Sequence, residues 1–327
     1  MPKLKVPTPA TIHAAHNFLV KNAPFVTKRG KAVLELHSGW LQLDPLSLSM
    51  MAAWGGWCKR HGLPITVENI GRQANYAARM KLFQHLGVAH GPEVSEHEEA
   101  GRFMPLTQVQ DQKQLTSVIA DISALLHLDK DPDSLAAVQY CVSELLRNVL
   151  EHSGAREGAF VCAHRYTRKA PHRVTIGVAD CGSGIAAHLG HAHQDALFSD
   201  QVALGLAMRP GITGALPGLY GTPENAGAGL FITRCIAKGT GGYFFLLSGD
   251  AAYRLRRTLD ADDQYSLYLD PFDEPRHDLW PLPAKWQGTA VALEICTERI
   301  ADFQEFFQWV KGRMPQRVAT TRKIRFT

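Results

Sequence analysis

The chain has 327 residues, of which 45% are hydrophobic and 20% are charged, and its formal net charge is +4. This length is enough for two domains of ordinary size, and the composition excludes a disordered protein. The small net charge argues against nucleic acid as a partner, because nucleic-acid-binding surfaces are strongly basic.

The cysteine pattern and the lack of long apolar runs predict the compartment. The six cysteines contain no CxxC pair, and most lie inside apolar runs, which predicts reduced, buried thiols. The N-terminus lacks the hydrophobic stretch of a signal peptide, and no apolar run reaches the roughly 20 residues of a membrane span. The sequence therefore predicts a cytoplasmic protein with no membrane partner.

The first 92 residues alternate between strand and helix patterns. Strands are predicted at residues 31–36 and 64–68, and helices at residues 45–61 and 74–86. This alternation favours a small α/β layer domain over residues 1–92. The polar, acidic stretch that follows predicts a linker over residues 93–108, although a solvated loop inside one domain would have the same composition.

The remaining sequence predicts a second α/β domain over residues 109–311 and a basic tail over residues 312–327. Asp131 and Pro132 supply a cap and a first-turn proline for a long helix that reaches His152. The other predicted elements are helices at 115–127 and 228–238, strands at 158–166, 173–179, 243–248 and 288–295, and a polar excursion at 260–285. Residues 185–226 are rich in Gly, Pro, His and Ala, so we expect a long mobile segment there.

Three polar side chains share one side of the long helix. Glu144, Asn148 and His152 are spaced four residues apart, so successive members are offset by about 40°. Asn148 fits a ligand of Mg²⁺, which prefers oxygen donors, and Glu144 fits a group that orients water or accepts a proton. The same spacing is also that of the polar face of an ordinary amphipathic helix.

A carboxylate follows the strand predicted at residues 173–179. Asp180 precedes Gly182 and Gly184, in the pattern DxGxG. A carboxylate at a strand end can accept a hydrogen bond from the amine of adenine, and the glycines let the backbone approach a ligand closely. Taken alone the pattern is weak, because Asp-Gly turns are common.

A third segment places glycines at the start of a helix. Gly227 and Gly229 precede Leu230, and the free amides at such a helix start suit a phosphate. The chain lacks the GxxxxGK[ST] phosphate loop. The three segments, taken in order, predict a pocket for ATP and Mg²⁺.

Together the segments resemble the GHKL ATPase superfamily of histidine-kinase, gyrase, mismatch-repair and heat-shock-chaperone ATPases. The matching residues are Glu144 and Asn148 of the ExxxN box, Asp180, Gly182 and Gly184 of the DxGxG box, and Gly227 and Gly229 of the GxG box. Thr289, in the last predicted strand, is similar to a threonine that lies near the adenine in this superfamily. The resemblance covers roughly residues 111–310.

The resemblance implies a Bergerat-type α/β sandwich, a mixed sheet with helices on one face. It also implies ATP and Mg²⁺ as cofactors and a flexible lid over residues 188–225. The chain departs from the superfamily in two ways. No upstream helix carries a convincing phosphoacceptor histidine, and no large transducer domain follows the last strand. Homodimers are common in the superfamily, and the sequence specifies no dimer surface.

The N-terminal pattern is similar to the STAS domain of anti-sigma-factor antagonists, over residues 24–88. The similarity rests on the order of elements and on Asp44, Pro45 and Ser47 at a helix start. In that family a serine beside the aspartate takes a phosphate. Pro45 occupies that place here, so we expect a module that docks a protein partner, with Ser47 capping the helix.

Three functions remain open at this stage. The first is a regulatory, ATP-dependent protein kinase of the partner-switching type, with Glu144 as the catalytic residue and Asn148 as the Mg²⁺ ligand. The second is an ATP-gated switch or binding protein with slow hydrolysis and no phosphotransfer. The third is a degenerate ATPase fold that serves only as a scaffold.

For two further patterns the sequence favours solvated segments over ligand sites. His188, His191 and His193 have no cysteine or acidic partner to complete a zinc site, so three histidines without a metal are expected. The C-terminal tail carries basic residues without interleaved aromatics, which is typical of a solvated tail.

Overall fold

Two β-sheets organise the chain. The computed structural model describes residues 2–20, 22–26, 30–89, 102–128, 131–213, 227–257, 266–300 and 302–315. In these residues a parallel sheet has three strands and an antiparallel sheet has five. The predicted α/β class, a fold that combines helices with β-sheets, is therefore confirmed.

The smaller sheet belongs to the N-terminal segment. Its strands are β1 (Lys3–Lys5), β2 (Ala32–Glu35) and β3 (Ile65–Glu68), and the segment's helices are α1 (Asn17–Val20), α2 (Pro45–Arg60), α3 (Asn75–Arg79) and α4 (Leu82–Leu86). The helix predicted at residues 74–86 is therefore two short helices. It breaks at Lys81, whose φ of 63° is left-handed and incompatible with a continuous helix.

The larger sheet has the spatial order β4-β5-β6-β8-β7. Its strands are β4 (Phe103–Val109), β5 (Ala159–Tyr166), β6 (Arg173–Ala179), β7 (Tyr243–Leu255) and β8 (His277–Cys296). All four neighbouring pairs are antiparallel, so the mixed sheet implied by the resemblance is wrong for the described strands. Strands β5 and β6 pair in this way because residues 167–172 form a short connection that reverses the chain.

Strand β4 corrects the predicted linker. Residues 103–108 of that linker lie in β4, which pairs with β5 at the edge of the sheet. Phe103, Met104 and Leu106 are buried, although the strand contains Pro105. An edge strand tolerates proline, because its outer side has no neighbour to bond the missing amide.

Helices cover one face of the larger sheet. They are α5 (Gln112–Leu125), α6 (Pro132–Asn148), α9 (Gly229–Gly239) and α10 (Phe303–Arg313), whose apolar side chains share a core with the sheet. The segment expected to be mobile contains α7 (Ile185–Leu189) and α8 (Asp200–Ala207), and α8 lies against β7. Residues 214–225 of the predicted lid lie outside the described residues.

All six cysteines are buried and none forms a disulfide. Within the described residues, no helix is both long enough and apolar enough to cross a membrane.

Helix α2 covers the opposite face of the larger sheet and is buried along almost its whole length. Asp44 caps it, accepting from the amide of Ser47 at 3.1 Å, while the Ser47 hydroxyl accepts from the amide of Asp44 at 3.0 Å. Ser49 donates to the carbonyl of Gly177 in β6 at 2.9 Å. The N-terminal segment and the sheet therefore share one hydrophobic core, and helices lie on both faces of the sheet.

Gly177 allows this close approach, which gives a prediction for stability. A Cβ at this position would lie 2.5 Å from Leu46 Cα, inside the backbone of α2. We expect Gly177→Ala to lower the free energy of unfolding by about 1–3 kcal/mol, because α2 must move off the sheet. Gly312→Ala is the control, since no described atom outside the adjacent turns of its own helix lies within 4 Å of that Cβ. Chemical denaturation measures both, and equal stability of the two variants would contradict the prediction.

Candidate functional site

The three predicted segments surround one cavity on the face of the larger sheet that carries α6 and α9. Nine of the ten predicted site residues line it, namely Glu144, Asn148, His152, Asp180, Gly184, Gly227, Gly229, Leu230 and Thr289. The tenth, Gly182, is not among the lining residues. Residues far apart in the sequence thus meet in one place.

The order of the strands explains this convergence. Strands β6 and β8 are neighbours, so the end of β6 lies beside the middle of β8, and the Asp180 amide donates to the Thr289 carbonyl at 2.9 Å. Helices α6 and α9 pack side by side on the same face of the sheet. The last turn of α6 and the first turn of α9 therefore meet at the cavity.

Asp180 has a buried carboxylate with one unpartnered oxygen. The residue is 1% exposed, and its Oδ1 accepts from the Gly182 amide at 2.7 Å. Its Oδ2 has no hydrogen-bond partner among the described residues. Burial raises the pKa of this carboxyl to about 7. A ligand that donates a hydrogen bond to Oδ2 would remove a substantial desolvation cost.

The glycines after Asp180 have separate roles. A Cβ on Gly182 would lie 2.8 Å from the carbonyl carbon of Ser153, and the Ser183 amide donates to the Ser153 carbonyl at 2.7 Å. Gly182 therefore lets this loop pack against the end of α6. Gly184 has a φ of 80°, which favours glycine, and lines the cavity itself.

Helix α6 ends in a π-helical turn, Val149–Ser153. This turn alters the regular spacing on which the position of His152 was predicted, although His152 still lines the cavity. Its ring stacks on that of His188, with centroids 4.4 Å apart. Burial, followed by the nearby charge of His152, lowers the pKa of His188 to about 4. Such turns are frequent at functional sites.

Glu144 lies at the junction of α6 and α9. Its side chain is 12% exposed, and its Oε1 accepts from Arg147 Nη1 at 3.1 Å. A Cβ on Gly229 would lie 3.3 Å from Glu144 Cδ and closer still to Oε2, so an alanine there would displace this carboxylate. Burial raises the pKa of Glu144, which makes it a stronger proton acceptor than an exposed carboxylate.

The first turn of α9 has backbone amides that no capping side chain among the described residues bonds. Its N-cap, Ala228, has no side chain that bonds them, and Gly229 and Leu230 line the cavity. An anion at this helix start would be stabilised by the amides and the helix dipole. It would also face the carboxylate of Glu144, so a divalent cation between the two is electrostatically favourable. Asn148 lines the same cavity and offers an oxygen ligand.

Several lining residues are absent from the predicted set. Val178 and Val291, on neighbouring strands, give the cavity an apolar wall, and Arg147 contributes a cation. Arg147 could have been found from its position one turn after Glu144. The valines could not, because their neighbours in each strand are equally apolar and the sequence does not show which of them faces the cavity.

In the part of the chain that the structure describes, no group of three or more His, Cys, Asp or Glu side chains is placed to hold a metal ion. An Asn-held Mg²⁺ that takes its other ligands from water and phosphate would not form such a group. No family model matches this chain, and no curated protein sequence matches it. The residues of the cavity are therefore the basis for assigning a function.

Proposed function

We propose that this chain binds ATP together with Mg²⁺ and acts as a regulatory protein kinase of the partner-switching type. The proposal is carried by the Oδ2 atom of Asp180, a buried and unpartnered carboxylate oxygen in the wall of a cavity. The same cavity contains the uncapped start of α9. A ligand with an amine at one end and phosphates at the other would satisfy both features, and an adenine nucleotide has both.

The base end of the ligand would be bound by β6 and β8. Asp180 would accept a hydrogen bond from the adenine amine, while Val178 and Val291 would contact the ring. Gly184 and Thr289 line the same region and would allow the ring to approach the backbone. This combination of an apolar wall with one polar anchor is typical of a specific small-molecule site.

The phosphate end would be bound by α6 and α9. The amides at Gly229 and Leu230 would bind phosphate oxygens, and Asn148 would hold Mg²⁺. The ion, when bound, offsets the repulsion between the phosphates and the Glu144 carboxylate. In phosphotransfer, the oxygen of a partner's hydroxyl would bond to the γ-phosphorus as ADP leaves, and Glu144 would accept the hydroxyl proton.

A second candidate is an ATP-gated switch that hydrolyses ATP slowly and transfers no phosphate to protein. One observation favours it. Ser47 and Ser49 of the STAS-like segment are completely buried, so neither hydroxyl can serve as a phosphoacceptor in this arrangement. The N-terminal segment would then act by docking a protein partner, and the nucleotide would control that docking.

We expect Asn148→Ala to abolish Mg²⁺-dependent binding of ATP, because the amide ligand of the ion is lost. The protein is incubated with Mg²⁺ and γ-labelled ATP, and both bound nucleotide and released label are followed. Gln139→Ala is the matched control, since Gln139 lies on the same helix outside the cavity and bonds to Ser123. Label on protein favours the kinase, and free phosphate favours the switch. Undiminished binding by Asn148→Ala would contradict the assignment.

A further inference from the structure

The last turn of α2 contacts the loop that carries Asp180, from the side opposite the cavity. Arg60 Nη2 donates to the carbonyl of Cys181 at 3.3 Å, and Arg60 Nη1 lies 3.1 Å from Glu157 Oε2. Arg60 belongs to the N-terminal segment, whereas Cys181 directly follows Asp180. One guanidinium therefore connects the two halves of the chain at the candidate site.

A second connection runs through two tryptophans. Trp57 Nε1 donates to Gln287 Oε1 at 3.0 Å, and Gln287 Nε2 donates to the carbonyl of Cys181 at 3.4 Å. Trp286 Nε1 donates to the carbonyl of Asp180 at 3.2 Å. The carbonyls of both Asp180 and Cys181 thus accept hydrogen bonds on the side of the loop opposite the cavity.

Aromatic packing joins these donors. Phe25 of the N-terminal segment lies edge-on to Trp57 and to Trp286, with centroid distances of 5.3 and 5.0 Å. Trp57 and Trp286 are each about 1% exposed. The donors are consequently held by the shared core, and a displacement of α2 would move the loop as well.

We propose that α2 holds the Asp180 loop in its ligand-binding position, and that Arg60 and Trp57 are positioning residues for recognition of the nucleotide base. The consequence for base recognition rests on the proposed function. The N-terminal segment then contributes to the nucleotide-binding site. A partner that docks on this segment and shifts α2 would change the affinity of the cavity for the nucleotide.

The physical reason is the free energy needed to order the Asp180 loop. The loop contains Gly182 and Gly184, and glycine has the greatest backbone freedom of any residue. Without bonds to the Asp180 and Cys181 carbonyls, the loop would occupy several arrangements, and the ligand would have to select the competent one. If that arrangement were populated about one tenth of the time, the apparent Kd would rise about tenfold.

The test compares Arg60→Ala with Arg254→Ala in the full chain. Arg254 of β7 also connects the larger sheet to the N-terminal segment, by donating to the carbonyl of His13, and it pairs with Asp278 of β8 away from the cavity. Trp57→Phe is a second variant, which keeps the aromatic packing and loses only the N–H donor. The readouts are hydrogen exchange of residues 180–184 without ligand, and the Kd values for ATP and GTP.

We expect Arg60→Ala and Trp57→Phe to speed hydrogen exchange of the loop, to weaken ATP binding by about tenfold and to reduce the preference for ATP over GTP. Arg254→Ala should leave all three unchanged. The inference would be overturned if Arg60→Ala and Trp57→Phe both kept the wild-type exchange rate of the loop and the wild-type preference for ATP. It would also be overturned if Arg254→Ala changed these properties as much as Arg60→Ala. If the wild-type protein bound no nucleotide, the proposed function would be wrong. The hydrogen-exchange rates of residues 180–184 would then decide by themselves whether α2 holds the loop.

Discussion

Asp180→Asn is expected to abolish selective ATP binding and, at the same time, to make the ligand-free protein more stable above pH 7. The variant replaces the only acceptor that we assign to the adenine amine with an amide whose orientation is set by the Gly182 bond. In the wild-type protein, binding should strengthen as the pH rises through about 7, because ionised Asp180 is the better acceptor. The variant should lose this pH dependence.

The stability effect follows from the same pKa. The pKa of buried Asp180 is about 7, against 3.8 for an ordinary aspartate, so the folded state holds a proton that the unfolded state has released between these values. The free energy of unfolding therefore decreases as the pH rises from about 4 to about 7. At pH 8 the accumulated loss is about 4 kcal/mol, and a neutral asparagine avoids most of it.

Chemical denaturation at pH 5 and pH 8 measures this effect, with equilibrium binding of ATP as the second readout. Asp121→Asn, on the exposed side of α5, is the control and should change neither property. The stability advantage of Asp180→Asn should be larger at pH 8 than at pH 5. If Asp180→Asn bound ATP like the wild type, the carboxylate would not be a ligand-binding group. If the variant were less stable than the wild type at pH 8, burial of the carboxylate would not lower the stability of the protein.

Glu144→Gln is expected to leave ATP binding nearly intact and to lower turnover by about 10²- to 10⁴-fold, the usual contribution of a general base. Glutamine has the same size, so it fits beside Gly229, but it cannot accept a proton from water or from a hydroxyl. Because burial raises the pKa of Glu144, wild-type turnover should also decline toward acidic pH, as the carboxylate is protonated.

Single-turnover assays with γ-labelled ATP, combined with equilibrium binding, separate the two effects. Glu298→Gln is the matched control, because Glu298 is a half-exposed residue paired with His172 outside the cavity. Normal turnover in Glu144→Gln would rule out Glu144 as the base. A large loss of binding would mean instead that the carboxylate holds the metal.

Local patterns in the sequence predicted individual elements well. Asp44 and Ser47 predicted the start of α2, and Asp131 and Pro132 predicted that of α6, because capping acts within one turn of the chain. Strand β4 and the break at Lys81 were missed. The predicted linker was drawn through β4 because the acidic stretch before it is polar, and the pairing of β4 with β5 depends on residues about 50–60 positions away. A single left-handed residue such as Lys81 leaves no periodic signal.

The sequence by itself determined which chemical groups this protein can bring to a ligand: the carboxylates of Asp180 and Glu144, the amide of Asn148 and the glycines at a helix start. Only the tertiary structure decided that they share a cavity, that Asp180 Oδ2 is buried without a partner, and that Arg60 contacts the neighbouring carbonyl. The reason is distance along the chain. Caps and periodicity act over a few residues, whereas burial and these contacts depend on how segments more than 100 residues apart pack together.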